Sequence, residues 1–238
     1  MILRKAKIKC PILGKNVTIR ECLSCSSCLP RPILEKLFEG LESEPNRYGV
    51  TELVHPCLRR SYFARKQERS YTLQDLYILN RGRAFHSWFN EFFHMNEVKL
   101  FKQFKHFAIV GVIDAIQPTR DGITLFEIKS VNKLPKVPYE HHRLQIQAYY
   151  SLARETLQID KLVLVYLSMN DFAVFQVEKR NIMSYLYQRA KKLHFALKRN
   201  KPPKIEDTSL CYFCPFKGIC QLTHDVETFK NSQLDNRH

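Results

Sequence analysis

No stretch of this chain approaches the ~20 consecutive apolar residues that a helix needs to cross a bilayer, although 45% of its 238 residues are hydrophobic. The apolar side chains are spread out, enough for one sizeable core and a small appendage. The N-terminus, MILRKAKIKC, carries charge but no apolar core of signal-peptide length. A cytoplasmic protein is the expectation. Acidic residues are scarce: 23 Asp and Glu stand against 38 Lys and Arg, a formal charge of +15. Such an excess points to a polyanionic partner, usually nucleic acid; the alternative is a charged surface that serves solubility. Residues 1–30 have too few apolar side chains, and too little periodicity among them, for an independent core.

Cysteine, by contrast, is plentiful. Eight cysteines in a cytoplasmic chain suit metal ligation better than disulfides. Cys10, Cys22, Cys25 and Cys28 form one set, spaced C-x11-C-x2-C-x2-C. They mark residues 1–30 as a small module in which a metal would supply the folding energy. Zinc and an iron–sulfur cluster are both compatible with the spacing. A second close run, Cys211, Cys214 and Cys220, follows Pro202-Pro203 as C-x2-C-x5-C and needs a fourth ligand from elsewhere. Buried reduced thiols are the alternative for each set.

The stretch from Gly111 to Ser130, GVIDAIQPTRDGITLFEIKS, reads as two strands joined by a turn at Asp121-Gly122. Alternation along a strand puts Glu127 and Lys129 on one side, and the hairpin brings Asp114 beside them. Two carboxylates and an ammonium on otherwise apolar strands are costly to desolvate unless something binds there. A hard cation such as Mg²⁺ or Mn²⁺ suits carboxylate oxygens and leaves room for water and phosphate.

This Asp…Glu-x-Lys pattern resembles the PD-(D/E)xK nuclease superfamily. Gln145 and Tyr149 follow in Q-x-x-x-Y spacing, and Gly82-x-x-x-His86 precedes, in the order of its RecB-like branch. Cys57 with Cys211, Cys214 and Cys220 is similar to the split cysteine set of the CRISPR-associated RecB-like exonucleases. Ile113 rather than proline precedes Asp114, but Gly111-Val-Ile-Asp114 fits that branch's Gly-x-x-Asp. The resemblance spans roughly residues 51–222 and does not include the N-terminal module. It implies an α/β restriction-endonuclease-like core, a central mixed sheet flanked by helices. It also implies a Mg²⁺- or Mn²⁺-dependent DNA exonuclease favouring single-stranded ends. Asp114, Glu127, the carbonyl of Ile128 and His86 would hold the ion. Lys129 would act on the attacking water, and Gln145 and Tyr149 would orient strand or lysine. Cys57, Cys211, Cys214 and Cys220 would hold a 4Fe–4S cluster, with zinc as the alternative. The partners implied are DNA and CRISPR adaptation proteins; roles in repair or viral replication, or as a non-catalytic scaffold, are the alternatives.

The expected organisation is a four-cysteine metal-binding module at 1–30, a linker helix in 31–50, a nuclease domain at 51–205, an iron–sulfur segment at 206–223 and a polar tail at 224–238. Thr51 is expected to cap a helix through ELVHPCLRRSYFARK. Thr72, with Asp75 in capping-box position, should start a helix running to about Met95. His86 lies in it among Phe85, Trp88, Phe89, Phe92 and Phe93, and His94 reads as structural. Strands are expected at 98–107, 108–117, 122–130 and in KLVLVYLSM and FAVFQVEK, with helices in HRLQIQAYYSLARET and from 181 to 199. Lys191, Lys192, Lys198, Arg199 and Lys201 are either a solvated face or a phosphate track.

Overall fold

The computed structural model describes residues 6–38, 45–68, 70–93, 95–206 and 209–220. His94, the far end of the expected linker helix and the expected polar tail lie outside them. The architecture is α/β, a mixed sheet with helices on both faces.

The sheet is built around strands β6 (Ala108–Thr119) and β7 (Gly122–Ser130). Gly122 turns the hairpin at φ 103°, a conformation that favours glycine. A Cβ there would also stand 2.1 Å from Asp160 Oδ2, the oxygen that accepts the Ile123 N–H at 2.8 Å. Strand β7 runs on through helix α6 (Glu140–Ala153) into β8 (Lys161–Leu167), which lies parallel to it. Antiparallel β9 (Phe172–Val177) follows β8. On β6, β3 (Arg47–Gly49) pairs in parallel and β5 (Met95–Gln103) antiparallel.

Successive side chains on β7 go to opposite faces, and each face has its own cover. Leu125, Leu162, Leu164 and Tyr166 join a core with α6 and with α3 (Val50–Leu53), α4 (Leu58–Lys66) and α7 (Met183–Lys198). Phe126, Ile128, Val165 and Leu167 meet Phe85, Phe89 and Phe93 of α5 (Leu73–Asn90) and the turn after it. Thr72 and Asp75 cap α5 reciprocally: Asp75 N donates to Thr72 Oγ1 at 3.0 Å and Thr72 N to Asp75 Oδ2 at 2.9 Å. The helix ends at Asn90, short of Met95, which instead starts β5.

The helix expected from Thr51 is two helices. Gly49, not Thr51, is the N-cap residue of α3, and the chain breaks before Cys57, the N-cap residue of α4. Pro56 explains the break, since it lacks an N–H and biases His55 away from helix. Distant charges satisfy the exposed helix ends. The Arg189 guanidinium donates to Leu53 O at 2.5 Å and His55 O at 2.6 Å, and Glu206 Oε2 accepts the Leu58 N–H at 2.5 Å. Cation at a C-terminus and anion at an N-terminus both oppose the helix dipole.

The N-terminal residues pack as a small lobe. Strand β1 (Lys7–Lys9) pairs antiparallel with β2 (Asn16–Thr18) and parallel with β4 (Ser70–Tyr71). Helices α1 (Ile19–Cys25) and α2 (Arg31–Phe38) complete it. Ile8, Leu34 and Leu37 bury against Tyr71 and Leu76. The start of α5 thus belongs to the lobe, while its second half lies on the sheet.

Candidate active site

Strands β6 and β7 pair from Thr119↔Gly122 to Ala115↔Phe126. One step further stand Asp114 and Glu127, and here a side chain takes over from the ladder: Asp114 Oδ2 accepts the Ile128 N–H at 2.8 Å. Opposite Asp114 on β5, Glu97 is skipped in the register and has φ 50°, a bulge-like irregularity of the kind found beside active sites.

Glu127 is 1% exposed. Its Oε1 receives Lys129 Nζ at 2.5 Å and Gln145 Nε2 at 2.7 Å. Its Oε2 is buried with no hydrogen-bond partner. Burial pushes the Glu127 pKa up to about 7; the Lys129 charge opposes this and the Asp114 carboxylate adds to it. His86 Nδ1 lies 3.3 Å from Asp114 Oδ1. Burial works against the imidazolium, but the hydrogen bond to Asp114 and its charge outweigh it, so the His86 pKa is raised. Gln145 and Tyr149 sit one turn apart on α6, and the Gln145 amide donates to the Tyr149 hydroxyl at 2.8 Å. Burial and the nearby Glu127 charge push that hydroxyl far above its ordinary pKa. The expected residues Asp114, Glu127, Lys129, His86, Gln145 and Tyr149 therefore make one contiguous constellation.

Both motif glycines have a steric reason. A Cβ on Gly111 would stand 2.8 Å from Tyr149 Cε1 and 3.2 Å from Val50 Cγ2. A Cβ on Gly82 would stand 3.3 Å from Ser130 Oγ, where α5 crosses the end of β7. Each lets a side chain or helix close on the acids.

Other neighbours were not singled out by the sequence. His141 and His142 begin α6, and burial together with the Lys129 charge lowers both their pKa values, His142 to about 3. His142 Nδ1 lies 3.0 Å from the Tyr166 hydroxyl. The adjacent histidines after Pro138 were the available signal. Thr51, expected as a cap, instead interacts through its side chain with Tyr149.

The second expected centre lies at the C-terminal end. Cys57 is buried, and Cys214 and Cys220 pack against the main core. Cys211 and Cys214 are joined by a turn, with Cys214 N donating to Cys211 O at 3.2 Å. Burial raises the Cys220 thiol; Arg59 opposes this, and Cys57 and Cys214 reinforce it. Arg59 is wholly buried and donates to Pro203 O at 2.9 Å. The structure thus brings Cys57 to Cys214 and Cys220 across the chain. Cys10, Cys22, Cys25 and Cys28 gather separately in the N-terminal lobe, where Cys22 lies within electrostatic reach of the other three. Among the described residues, no three His, Cys, Asp or Glu side chains are arranged to hold a metal ion as they stand. The basic residues of α7 and its C-cap are exposed at Lys191, Lys192, Lys198 and Arg199, with Lys192 Nζ 3.5 Å from Glu206. No helix among the described residues is long and apolar enough to cross a membrane.

Fold and site define an α/β protein with two acids and a lysine where two strands of a mixed sheet part. The profile of the PD-(D/E)XK nuclease superfamily matches residues 94–221, more than half of the chain. The chain belongs to that superfamily, whose nucleases generally use Mg²⁺ or Mn²⁺. The crystal structure of SSO0001 superposes with a TM-score of 0.62 at 23% identity, over 86% of this chain and 96% of that one. This is a likeness of fold. An exonuclease candidate from Eubacterium rectale is more remote, with a TM-score of 0.33 at 13% identity, over 73% of this chain and 75% of that one. No curated protein matches the chain.

Proposed function

We propose that this chain is a Mg²⁺- or Mn²⁺-dependent deoxyribonuclease, an exonuclease acting on single-stranded ends. The observation that carries the reading is Glu127: a buried carboxylate with one oxygen unpartnered, beside Asp114 and Lys129. A carboxylate in that setting is unfavourable in the absence of a cation, so the donor set fits a hard divalent ion. Asp114, Glu127, the Ile128 carbonyl and His86 would hold it. When bound, such an ion supplies Lewis-acid stabilisation of the phosphate charge.

The remaining chemistry belongs to the chain. Water forms the new P–O bond as the bond to the leaving oxygen breaks, and the leaving oxygen takes a proton from solvent. Lys129, an ammonium paired with Glu127, is placed to orient the water and to offset charge on the phosphate, and the proton of the attacking water passes to solvent. Gln145 holds Glu127, with Tyr149 fixing the Gln145 amide, and together they position Lys129. The net positive charge suits DNA. The four thiols Cys57, Cys211, Cys214 and Cys220, with buried cationic Arg59 beside Cys220, fit a negatively charged thiolate-ligated centre, in our reading a 4Fe–4S cluster. A place in CRISPR spacer acquisition rests on the resemblance of this cysteine set.

The test is digestion of end-labelled single- and double-stranded DNA by anaerobically purified protein with Mn²⁺, Mg²⁺ or EDTA, alongside Glu127→Ala and Lys129→Ala. Metal-dependent shortening from the ends is expected, with a loss of at least ~100-fold in each variant. Wild-type protein that is folded but cleaves no substrate would turn the reading to a non-catalytic DNA-binding scaffold.

A further inference from the structure

The N-terminal lobe carries four cysteines that the nuclease chemistry does not use. Cys10 opens the turn between β1 and β2, where its N–H donates to Lys15 O and its carbonyl accepts the Gly14 N–H, both at 2.9 Å. Gly14 takes φ +64°, and the turn points the Leu13 N–H at Cys10 Sγ, 3.4 Å away. A backbone N–H directed at sulfur is what a thiolate needs to share its charge. Thr18 and Glu21 then start α1 with a capping box, which sets Cys22 and Cys25 one helical turn apart. Ser26, at φ 44°, ends the helix with its N–H on Cys22 O at 3.0 Å. That sharp stop returns the chain so that Cys28 follows. All three of Cys10, Cys25 and Cys28 lie within electrostatic reach of Cys22.

The lobe around them is underbuilt. Its first two strands have three residues each and its helices seven and eight, lengths that do not persist without tertiary support. Its buried apolar cluster is small and borrows Tyr71 and Leu76 from the nuclease side. Cys25 and Cys28 are exposed, so packing gives no reason for these thiols.

We propose that Cys10, Cys22, Cys25 and Cys28 form a four-thiolate site for a thiophilic metal centre, Zn²⁺ or a 4Fe–4S cluster, that holds the N-terminal lobe together. Ligation draws the thiols in from where this structure leaves them, about a turn and a helix whose backbones are already set. The lobe is seated on α5 by the β1–β4 pairing and by Asn80 Nδ2, which donates to Leu37 O at 3.2 Å. The metal centre therefore also steadies the start of the helix that bears His86.

The test is alkylation of the full chain, purified anaerobically in reductant, with iodoacetamide and mapping of each cysteine by mass spectrometry. Metal, iron and sulfide are measured on the same sample. Because Cys25 and Cys28 are exposed, burial cannot shield them. Ligated, they should react on the order of tenfold or more slowly than in guanidinium with EDTA. In the Cys214→Ser chain, which lacks the C-terminal centre, zinc without colour, or iron and sulfide with a band near ~400 nm, identifies the occupant. Cys25→Ser should release that metal and restore the reactivity of Cys28. Full-rate alkylation of Cys25 and Cys28 in the native chain would overturn the proposal. So would a Cys25→Ser chain in which Cys28 stays protected.

Discussion

Glu127 is a carboxylate that water cannot reach, and its chemistry follows from that. In the folded chain its pKa rises to about 7, with burial as the main cause; unfolded, it titrates near ~4.3. The folded state therefore holds the proton more tightly. Its contribution to stability is fully present below the unfolded pKa and is lost as pH rises through about 7. Without divalent ions, Glu127→Gln should raise stability at pH 8, by up to about 3 kcal/mol, and change little at pH 4. Thermal unfolding of both proteins in EDTA across that range checks this; a variant that is less stable at pH 8 would contradict it. The same logic makes Mn²⁺ binding tighten as pH rises toward 8, because the ion must displace the proton. Asp114, Glu127 and Lys129 could be picked out in the sequence because alternation on a hairpin is a local rule. The unpartnered oxygen could not, because it depends on what α6 brings over the strand.

Among the elements, the glycines decide how closely the helices approach the acids. Gly111 leaves room on β6 for the Tyr149 ring of α6, with a missing Cβ that would stand 2.8 Å away. The ring is buried and hydrogen-bonded to Gln145, so it cannot swing aside cheaply. Gly111→Ala should cost about 1–3 kcal/mol by overpacking and lower cleavage through the displaced Gln145–Glu127 contact. Tm and single-turnover rates measure the two effects separately. Gly111→Ala with unchanged Tm and rate would show that the ring yields freely. The α5 capping box is local and legible in the sequence. The local pattern runs a single helix through Pro56, where the structure has two. Its compensation comes from Arg189 and Glu206, distant in the chain.

Across the whole molecule, Pro203, Glu206 and the run 209–220 return to α4, where Arg59 meets Pro203, Glu206 caps Leu58 and Phe216 packs on Phe63. A centre held by Cys57 and the three late cysteines would close a loop of more than 150 residues. By chain entropy, such a link is worth on the order of 5 kcal/mol at most. Cys214→Ser should lose the iron and sulfide of that centre, unfold about 2–5 kcal/mol more easily and lose activity with stability. Unchanged thermal unfolding in the variant would remove the clip.

The sequence alone determined the strand hairpin, the face shared by Glu127 and Lys129, the α5 cap and the family order of motifs. These depend on near neighbours along the chain, which periodicity and spacing encode. Only the tertiary structure decided how His86 meets Asp114, why Gly111 and Gly82 must be small, and that the N-terminal lobe leans on α5. It also decided that His142 and Thr51 stand beside the site. Those facts are set by side chains that meet only after the sheet forms and the helices close on its two faces. There, burial and steric fit act between residues whose separation along the chain carries no local signal.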